Sequence, residues 1–255
     1  MLILIIYSFN GGRNVAIWAG FSTKWYGELF RDQAFLDAAW VTLRVGLMSS
    51  TLATILGTMA AYVIVRGGRF KGRTVMSGML YAPIVMPEVI TGISSLMFFI
   101  LMAQWVGWPG QRGFTTVTLA HITFSMVFVT TIVQARMLQS DRSIEEAAMD
   151  LGSRPWQVLR DVTLPVIFPA IMSGWLLAFT LSLDDLVLAS FVSGPSSTTL
   201  PIKIFSAVRL GVSPKINALS TLMIAIVAIG VISASLINKR SVTKRLKDEQ
   251  EAAAS

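Results

Sequence analysis

Five stretches of this 255-residue chain, at about 39 to 65, 75 to 103, 116 to 135, 166 to 192 and 218 to 238, are apolar around their whole circumference. A helix crossing a bilayer core of about 30 Å needs roughly 20 such residues. Inside lipid the backbone must satisfy its own N–H and C=O groups, so segments of this length are helices. A soluble helical protein would instead show a polar face on each helix. The fold class read from the sequence is therefore all-α, a polytopic helical membrane protein. Met1 to Phe9 adds a sixth apolar piece, too short to cross before Asn10. It lacks the basic leading region and the small-residue cleavage site of a signal sequence, so it is read as the end of a first helix that is incomplete in this chain. The expectation is about six transmembrane helices, a membrane domain over residues 1 to 238 and a tail over 239 to 255.

Composition supports this and narrows the function. The chain is 54% hydrophobic and only 14% charged, which excludes a disordered chain and an ordinary cytosolic enzyme. It has no Cys, which removes disulfides, thiolate metal sites and a cysteine nucleophile, and its single histidine, His121, leaves little for a metal centre. No catalytic residue and no metal site are expected. The net charge of +7 is explained by position. Arg66, Arg69, Lys71 and Arg73 follow the first complete span, Arg136, Arg142, Arg154 and Arg160 follow the third, and Lys239, Arg240, Lys244, Arg245 and Lys247 fill the tail. Thirteen basic residues thus fall on one side against seven on the other, with Arg44 inside a span. The positive-inside rule puts the richer side, and the C-terminus, in the cytoplasm. The excess base is a topology signal and implies no nucleic-acid partner.

The cytoplasmic loop at about 137 to 165 carries more signals than a connector needs. Ser143 and Glu146 have the spacing of a capping box, which predicts a helix start. Gly152 supplies a left-handed stop. Ser153 as N-cap and Pro155 in the first turn predict a second short helix to about Asp161, closed by Leu164 and Pro165. Glu146, Ala147, Ala148 and Gly152, followed after nine residues by Val162, Thr163, Leu164 and Pro165, resemble the EAA motif of permeases of ATP-binding cassette (ABC) importers. The chain as a whole is similar to the second permease of bacterial polyamine importers of the putrescine and spermidine type, through Ile6 to Asn10, Trp25, Tyr26, Ser143 to Gly152 and Ser182 to Pro195. The resemblance implies a type I ABC-importer permease fold in the bacterial inner membrane. It also implies that Glu145, Glu146, Ala147, Ala148, Gly152, Leu164 and Pro165 belong to coupling helices that dock on an ATP-binding subunit. The implied partners are a second permease, two cytoplasmic ATP-binding subunits, a periplasmic polyamine-binding protein and the lipid bilayer. ATP and Mg²⁺ would be used by the ATPase subunits, with no cofactor in this one.

Three acids, Glu88, Asp184 and Asp185, fall inside the apolar spans. A charged side chain at the bilayer centre costs at least about 2.5 kcal/mol on insertion scales, so such residues usually face a cavity or a partner. Pro83 and Pro87 should bend or interrupt the span just before Glu88. Asp184 and Asp185 sit near the middle of the 166 to 192 span, where adjacent helical residues point about 100° apart, so only one can face a common path. Thr180 and Ser182 lie one turn before each, so polar neighbours do not choose between them. The expected substrate path comprises Glu88, Asp184, Asp185 and, through its aromatic ring on the face of Glu88, Tyr81. A protonated polyamine fits these acids by charge.

Other signals are weaker. Gly67 to Thr74 lies one residue from a phosphate-binding loop, with Arg73 in place of lysine, but no strand precedes it. His121 is expected to pack between helices. Trp18, Trp25 and Tyr26 suit a membrane interface, and Gly194 to Thr199 should form a flexible start to a long outer loop ending near Asn217. The competing function is a cation-coupled secondary carrier of small organic cations, which would explain the acids but leave the EAA loop without a role.

Overall fold

The computed structural model describes residues 2–12, 17–68, 70–210, 214–222 and 224–225. The last apolar stretch is therefore described only up to 225, and the tail from 239 lies outside the described residues. The helices are α1 (Leu2–Ser8), α2 (Lys24–Arg31), α3 (Gln33–Arg66), α4 (Arg73–Val85), α5 (Glu88–Val106), α6 (Phe114–Gln139), α7 (Ser143–Asp150), α8 (Pro155–Val158), α9 (Leu164–Asp184), α10 (Val187–Val192) and α11 (Leu200–Leu210), with a π-helical turn at Leu159–Thr163 between α8 and α9. No strand occurs among the described residues. Among the described residues four helical runs, Gln33–Arg66, Glu88–Val106, Phe114–Gln139 and Pro155–Asp184, are long and apolar enough to cross a membrane. The chain divides into two compact units, Met1–Gln33 with Ile204–Ser255, and Ala34–Lys203.

In the first unit a polar residue organises an aromatic knot. Asn10 is fully buried; its Oδ1 accepts the N–H groups of Gly12 (3.2 Å) and Ala19 (2.8 Å), and its Nδ2 donates to the Ile17 carbonyl (2.7 Å). The Asn10 carbonyl in turn accepts the Trp25 indole N–H at 2.7 Å, and Tyr26 shares a hydrogen bond with Ser8. Phe9 stacks on Phe21. Trp25, expected at a lipid interface, is instead 7% exposed, because an indole leaving water needs a partner for its N–H and Asn10 supplies one. Trp18 is 46% exposed.

The second unit is built on close helix approaches. Every fourth residue of α3 from Val45 through Ser49, Ala53, Gly57 and Ala61 is buried, the small-residue pattern that lets membrane helices touch backbone to backbone. A Cβ on Gly57 would lie 2.8 Å from the Met126 carbonyl oxygen of α6, and Thr130 donates to the Gly57 carbonyl at 3.2 Å. Two apolar clusters fill the unit: Val45, Phe99, Val117, Ala120, Leu188, Ala189 and Val192 in one, and Ala61, Val129, Val133, Met137, Ile167 and Ala178 in the other. Outside them, α3 exposes Trp40, Leu47, Ile55 and Met59, as a helix solvated by lipid does.

Two predicted spans are each broken. The 75 to 103 span divides at Met86 and Pro87 into α4 and α5, as the prolines foretold, since Pro87 has no N–H to continue the ladder. The 166 to 192 span divides at Asp185 and Leu186 into α9 and α10, which was not foreseen. The segment after Gly194 also differs from expectation. Ser197 and Thr199 are buried, Ser197 Oγ accepts the Gly194 N–H at 2.9 Å, and the region read as a long loop contains α11. A Cβ on Gly194 would lie 2.1 Å from the Arg112 carbonyl oxygen, so a backbone-to-backbone contact fixes the turn. The glycine-rich 67 to 74 segment is a helix connection in which Arg73 turns back onto the carbonyls of Ile64 (2.7 Å) and Gly68 (3.2 Å), closing the end of α3.

Candidate functional site

The EAA loop forms the two helices expected of it, with different fastenings. Ser143 is the first residue of α7 and not its cap. Its N–H donates to Asp141 Oδ1 at 2.9 Å, so the donor that a capping box would give to the Glu146 side chain is taken by a carboxylate two residues upstream. The same N–H, then the Ser143 hydroxyl, hold the Asp141 carboxyl below its ordinary pKa of 3.8. The predicted capping box is therefore absent, and Glu146 pairs across one turn with Arg142 at 3.1 Å, both side chains exposed. Gly152 closes α7 with φ +91°, its N–H on the Met149 carbonyl (2.9 Å) and that of Ser153 on the Ala148 carbonyl (3.1 Å), the double bond of a Schellman stop. The Leu151 N–H takes the Ala147 carbonyl at 3.1 Å, so both motif alanines serve the turn through their backbones.

Glu145 faces the other way. Arg66, from the end of α3, places Nε 2.9 Å from Glu145 Oε2, and Thr163 in the π-helical turn donates to Oε1 at 3.1 Å. The Arg66 guanidinium also reaches Ser140 Oγ at 3.2 Å, beside the end of α6. The two charged side chains are only 11% and 14% exposed. One ion pair thus ties α7 to α3, to the end of α6 and to the start of α9. Sequence reading passed over Arg66 as a topology charge and Thr163 as part of a motif.

Leu164 and Pro165 do not end the second helix, contrary to expectation. The Leu164 N–H reaches back five residues to the Leu159 carbonyl, and this wider turn accommodates Pro165, which has no N–H and whose ring would crowd an α-helical carbonyl. The outcome is one helical run of 30 residues, Pro155–Asp184, about 45 Å long at the α-helical rise. It joins the α7 elbow to the acid pair.

At the far end of that run the two aspartates part. Asp184 ends α9, is exposed, and receives no hydrogen bond from another side chain among the described residues. Asp185 is extended, with ψ 120°, so the 100° offset of a continuous helix does not apply. Its carboxylate accepts the N–H groups of Leu188 (3.2 Å) and Ala189 (2.7 Å) at the start of α10, and lies 3.1 Å from His121 Nε2. His121 is 2% exposed, and its Nδ1 lies 2.6 Å from Ser182 Oγ. The helix-packing role expected of His121 is thus carried by Ser182 and Asp185, distant in sequence, and not by its near neighbours Thr118, Thr123 and Ser125.

Glu88 is the first residue of α5 and exposed, where the helix dipole favours an anion. Tyr81 donates its hydroxyl to Gln134 Oε1, fastening α4 to α6. The two do not bond each other. Helix α5 does meet α10 closely: a Cβ on Gly92 would come within 2.6 Å of the Phe191 ring, so the two broken helices are direct neighbours.

Comparison with known proteins agrees with this architecture. The putrescine transport system permease protein PotI of Escherichia coli (strain K12) is 53% identical over 252 residues, covering 99% of this chain and 90% of that protein. The spermidine/putrescine transport system permease protein PotC of the same organism is 41% identical over 237 residues, covering 93% and 87%. Among solved structures, a bacterial ABC transporter involved in the import of the acidic polysaccharide alginate aligns with a TM-score of 0.68 at 16% identity, over 91% of this chain and 89% of that one. The MetNI methionine ABC transporter aligns at 0.63 and 16% identity, over 79% and 92%. The fold is therefore that of an ABC transporter permease. With residues 53–247 matching its family description, this chain belongs to the binding-protein-dependent transport system inner membrane components.

Proposed function

We propose that this chain is the permease subunit of an ATP-driven importer that carries polyamines of the putrescine and spermidine type across the bacterial inner membrane. The observation that carries the mechanism is the single helical run Pro155–Asp184, welded at one end to the α7 elbow by the Arg66–Glu145–Thr163 contacts and ending at the other on an exposed carboxylate. The run stays helical through the π-helical turn and through Pro169, so closure of the ATP-binding subunits on the elbow is transmitted to the acid site along one continuous helix. The elbow offers those subunits Ile144, Met149, Leu151 and Trp156, all exposed, along with Glu146. Asp184 and Glu88 supply the negative charge of the path, and the Tyr81 ring supplies a surface for methylene groups.

Putrescine and spermidine are named for the two relatives of 53% and 41% identity, and two unpaired carboxylates on neighbouring broken helices suit a multiply protonated amine. The complex comprises this permease, a second permease, two cytoplasmic ATP-binding subunits that bind ATP and Mg²⁺, and a periplasmic polyamine-binding protein. This chain hydrolyses nothing, and its C-terminus lies in the cytoplasm. Proteoliposomes holding the whole complex test the assignment. Putrescine uptake should need both enclosed ATP and loaded binding protein. Uptake that continues without ATP and collapses with the proton gradient would replace the importer with a secondary carrier.

A further inference from the structure

Four residues from three distant parts of the sequence form one largely buried hydrogen-bonded chain across the second unit. Ser49 of α3 donates to Ser182 of α9 at 3.2 Å, Ser182 meets His121 Nδ1 of α6 at 2.6 Å, and His121 Nε2 meets Asp185 Oδ2 at 3.1 Å. Asp185 then receives two backbone N–H groups of α10. A carboxylate only accepts, so Nε2 donates to Asp185; with Ser49 donating to Ser182, the Ser182 hydroxyl is left to donate to Nδ1. In that arrangement each donor in the chain is used once. Ser49, His121 and Ser182 are all nearly inaccessible, so water cannot substitute for a lost link, and an unmet polar group there is costly.

The chain converges on the one place where the 30-residue run stops. If Asp185 continued α9 as a helical residue, its carboxylate could not cap α10, and the backbone that presents Asp184 would change course. We propose that His121 is a positioning residue of the transport path: through Ser182 and Asp185 it holds the break between α9 and α10 in the form that leaves Asp184 exposed as the free carboxylate. Asp185, on this view, is a structural anion and does not contact the substrate. The inference rests on the acid-path assignment above for its consequence in transport, while the geometry of the break can be read separately.

The chain has no native cysteine, so Asp184→Cys introduces a probe unique within this chain, and the same complex carrying Asp184 supplies the background from its partner subunits. In the assembled complex, the labelling rate of that probe by a small cationic methanethiosulfonate reports exposure at position 184 without reference to any substrate. Adding His121→Ala should slow labelling about tenfold, the scale of one lost interaction of about 1.4 kcal/mol, and His121→Gln, which keeps a donor and an acceptor, should restore most of it. Adding Asp185→Asn to His121→Ala should cause little further change, since both act on one link. If His121→Ala prevents assembly, Ser182→Ala cuts the same chain at a smaller group and should slow labelling by a lesser factor. Labelling unchanged by the first assembling variant of this series overturns the proposal. In uptake assays without the probe, His121→Gln should transport and Asp185→Asn combined with His121→Gln should transport as well, through an amide pair. A combination that is inactive yet labels normally would make Asp185 a substrate contact and also overturn it. Uptake without ATP would refute the importer reading and leave the labelling result standing.

Discussion

The acid pair at the α7 elbow and the acid pair at the broken helix solve the same problem with different materials. In each, one carboxylate is turned in and held while its neighbour is left outward. Glu145 is held by an arginine from another helix, with a threonine; Asp185 is held by a histidine and two backbone N–H groups. At the elbow both partners are charged and only 11% and 14% exposed, so each offsets the other's loss of water. At the break an imidazole and two backbone N–H groups do the holding, with no Lys or Arg brought in among the described residues. The held member fixes the local fold, which leaves the outward member available to a partner or a substrate.

The sharpest way to break this comparison is to remove the fixed cation. Arg66→Ala strands Glu145, and loss of one partner from a largely buried pair should cost about 3 kcal/mol; uptake by the complex should collapse while its ATPase activity persists uncoupled. Normal uptake would show that the elbow is not held by this pair. Next in size, Gly152→Ala forces a side chain into φ +91°, a strain of about 1 to 2 kcal/mol, and should likewise separate hydrolysis from transport in parallel assays. The outward members should behave differently from the inward ones. Glu146→Gln and Asp184→Asn should leave the melting temperature of the purified complex within about a degree or two, as surface substitutions do, yet depress transport. Glu145→Ala and Asp185→Ala should lower that temperature clearly, and equal melting shifts for all four would erase the distinction between inward-held and outward-facing acids.

Smaller effects refine it. Tyr81→Phe removes one side-chain hydrogen bond to Gln134 and should cost about 1 kcal/mol; if uptake is otherwise normal, the Tyr81 hydroxyl has no part in the path. The smallest effect concerns Asp141. Its folded pKa lies below the ordinary 3.8, so the fastening of Ser143 is complete above that value and is lost as pH falls through the lower folded value. Hydrogen exchange at the Ser143 amide should therefore stay protected at neutral pH and lose protection only in strong acid. Loss of protection already above pH 4 would assign the start of α7 to a different cap.

Much of the candidate site was legible because its signals are local. Pro83 and Pro87 announce the interruption before Glu88, since a missing N–H acts within one turn. Gly152 announces the end of α7 for the same reason. The continuation through Leu164 and Pro165 was misread because proline after a short helix normally marks a stop, and only a π-helical turn, which composition does not reveal, lets the chain pass. The break at Asp185 had no proline or glycine to signal it. Its cause is His121, Ser182 and the N–H groups of α10 acting together; Ser182, Leu188 and Ala189 lie within four residues of Asp185, and only His121 is brought from another helix by packing.

By itself the sequence determined that the chain is an assembly of membrane helices, that its basic residues gather in a few connecting segments, and that an EAA motif lies in one of them. These follow from apolar length, charge position and short-range motifs, all properties of neighbouring residues. Tertiary structure alone decided which acid of each pair is held. Glu145 and Glu146, or Asp184 and Asp185, are chemically equivalent neighbours, and the choice between them belongs to Arg66 and His121, each more than sixty residues away in the chain. A carboxylate's role is set by the donors that packing brings to it, and packing is a property of the folded bundle.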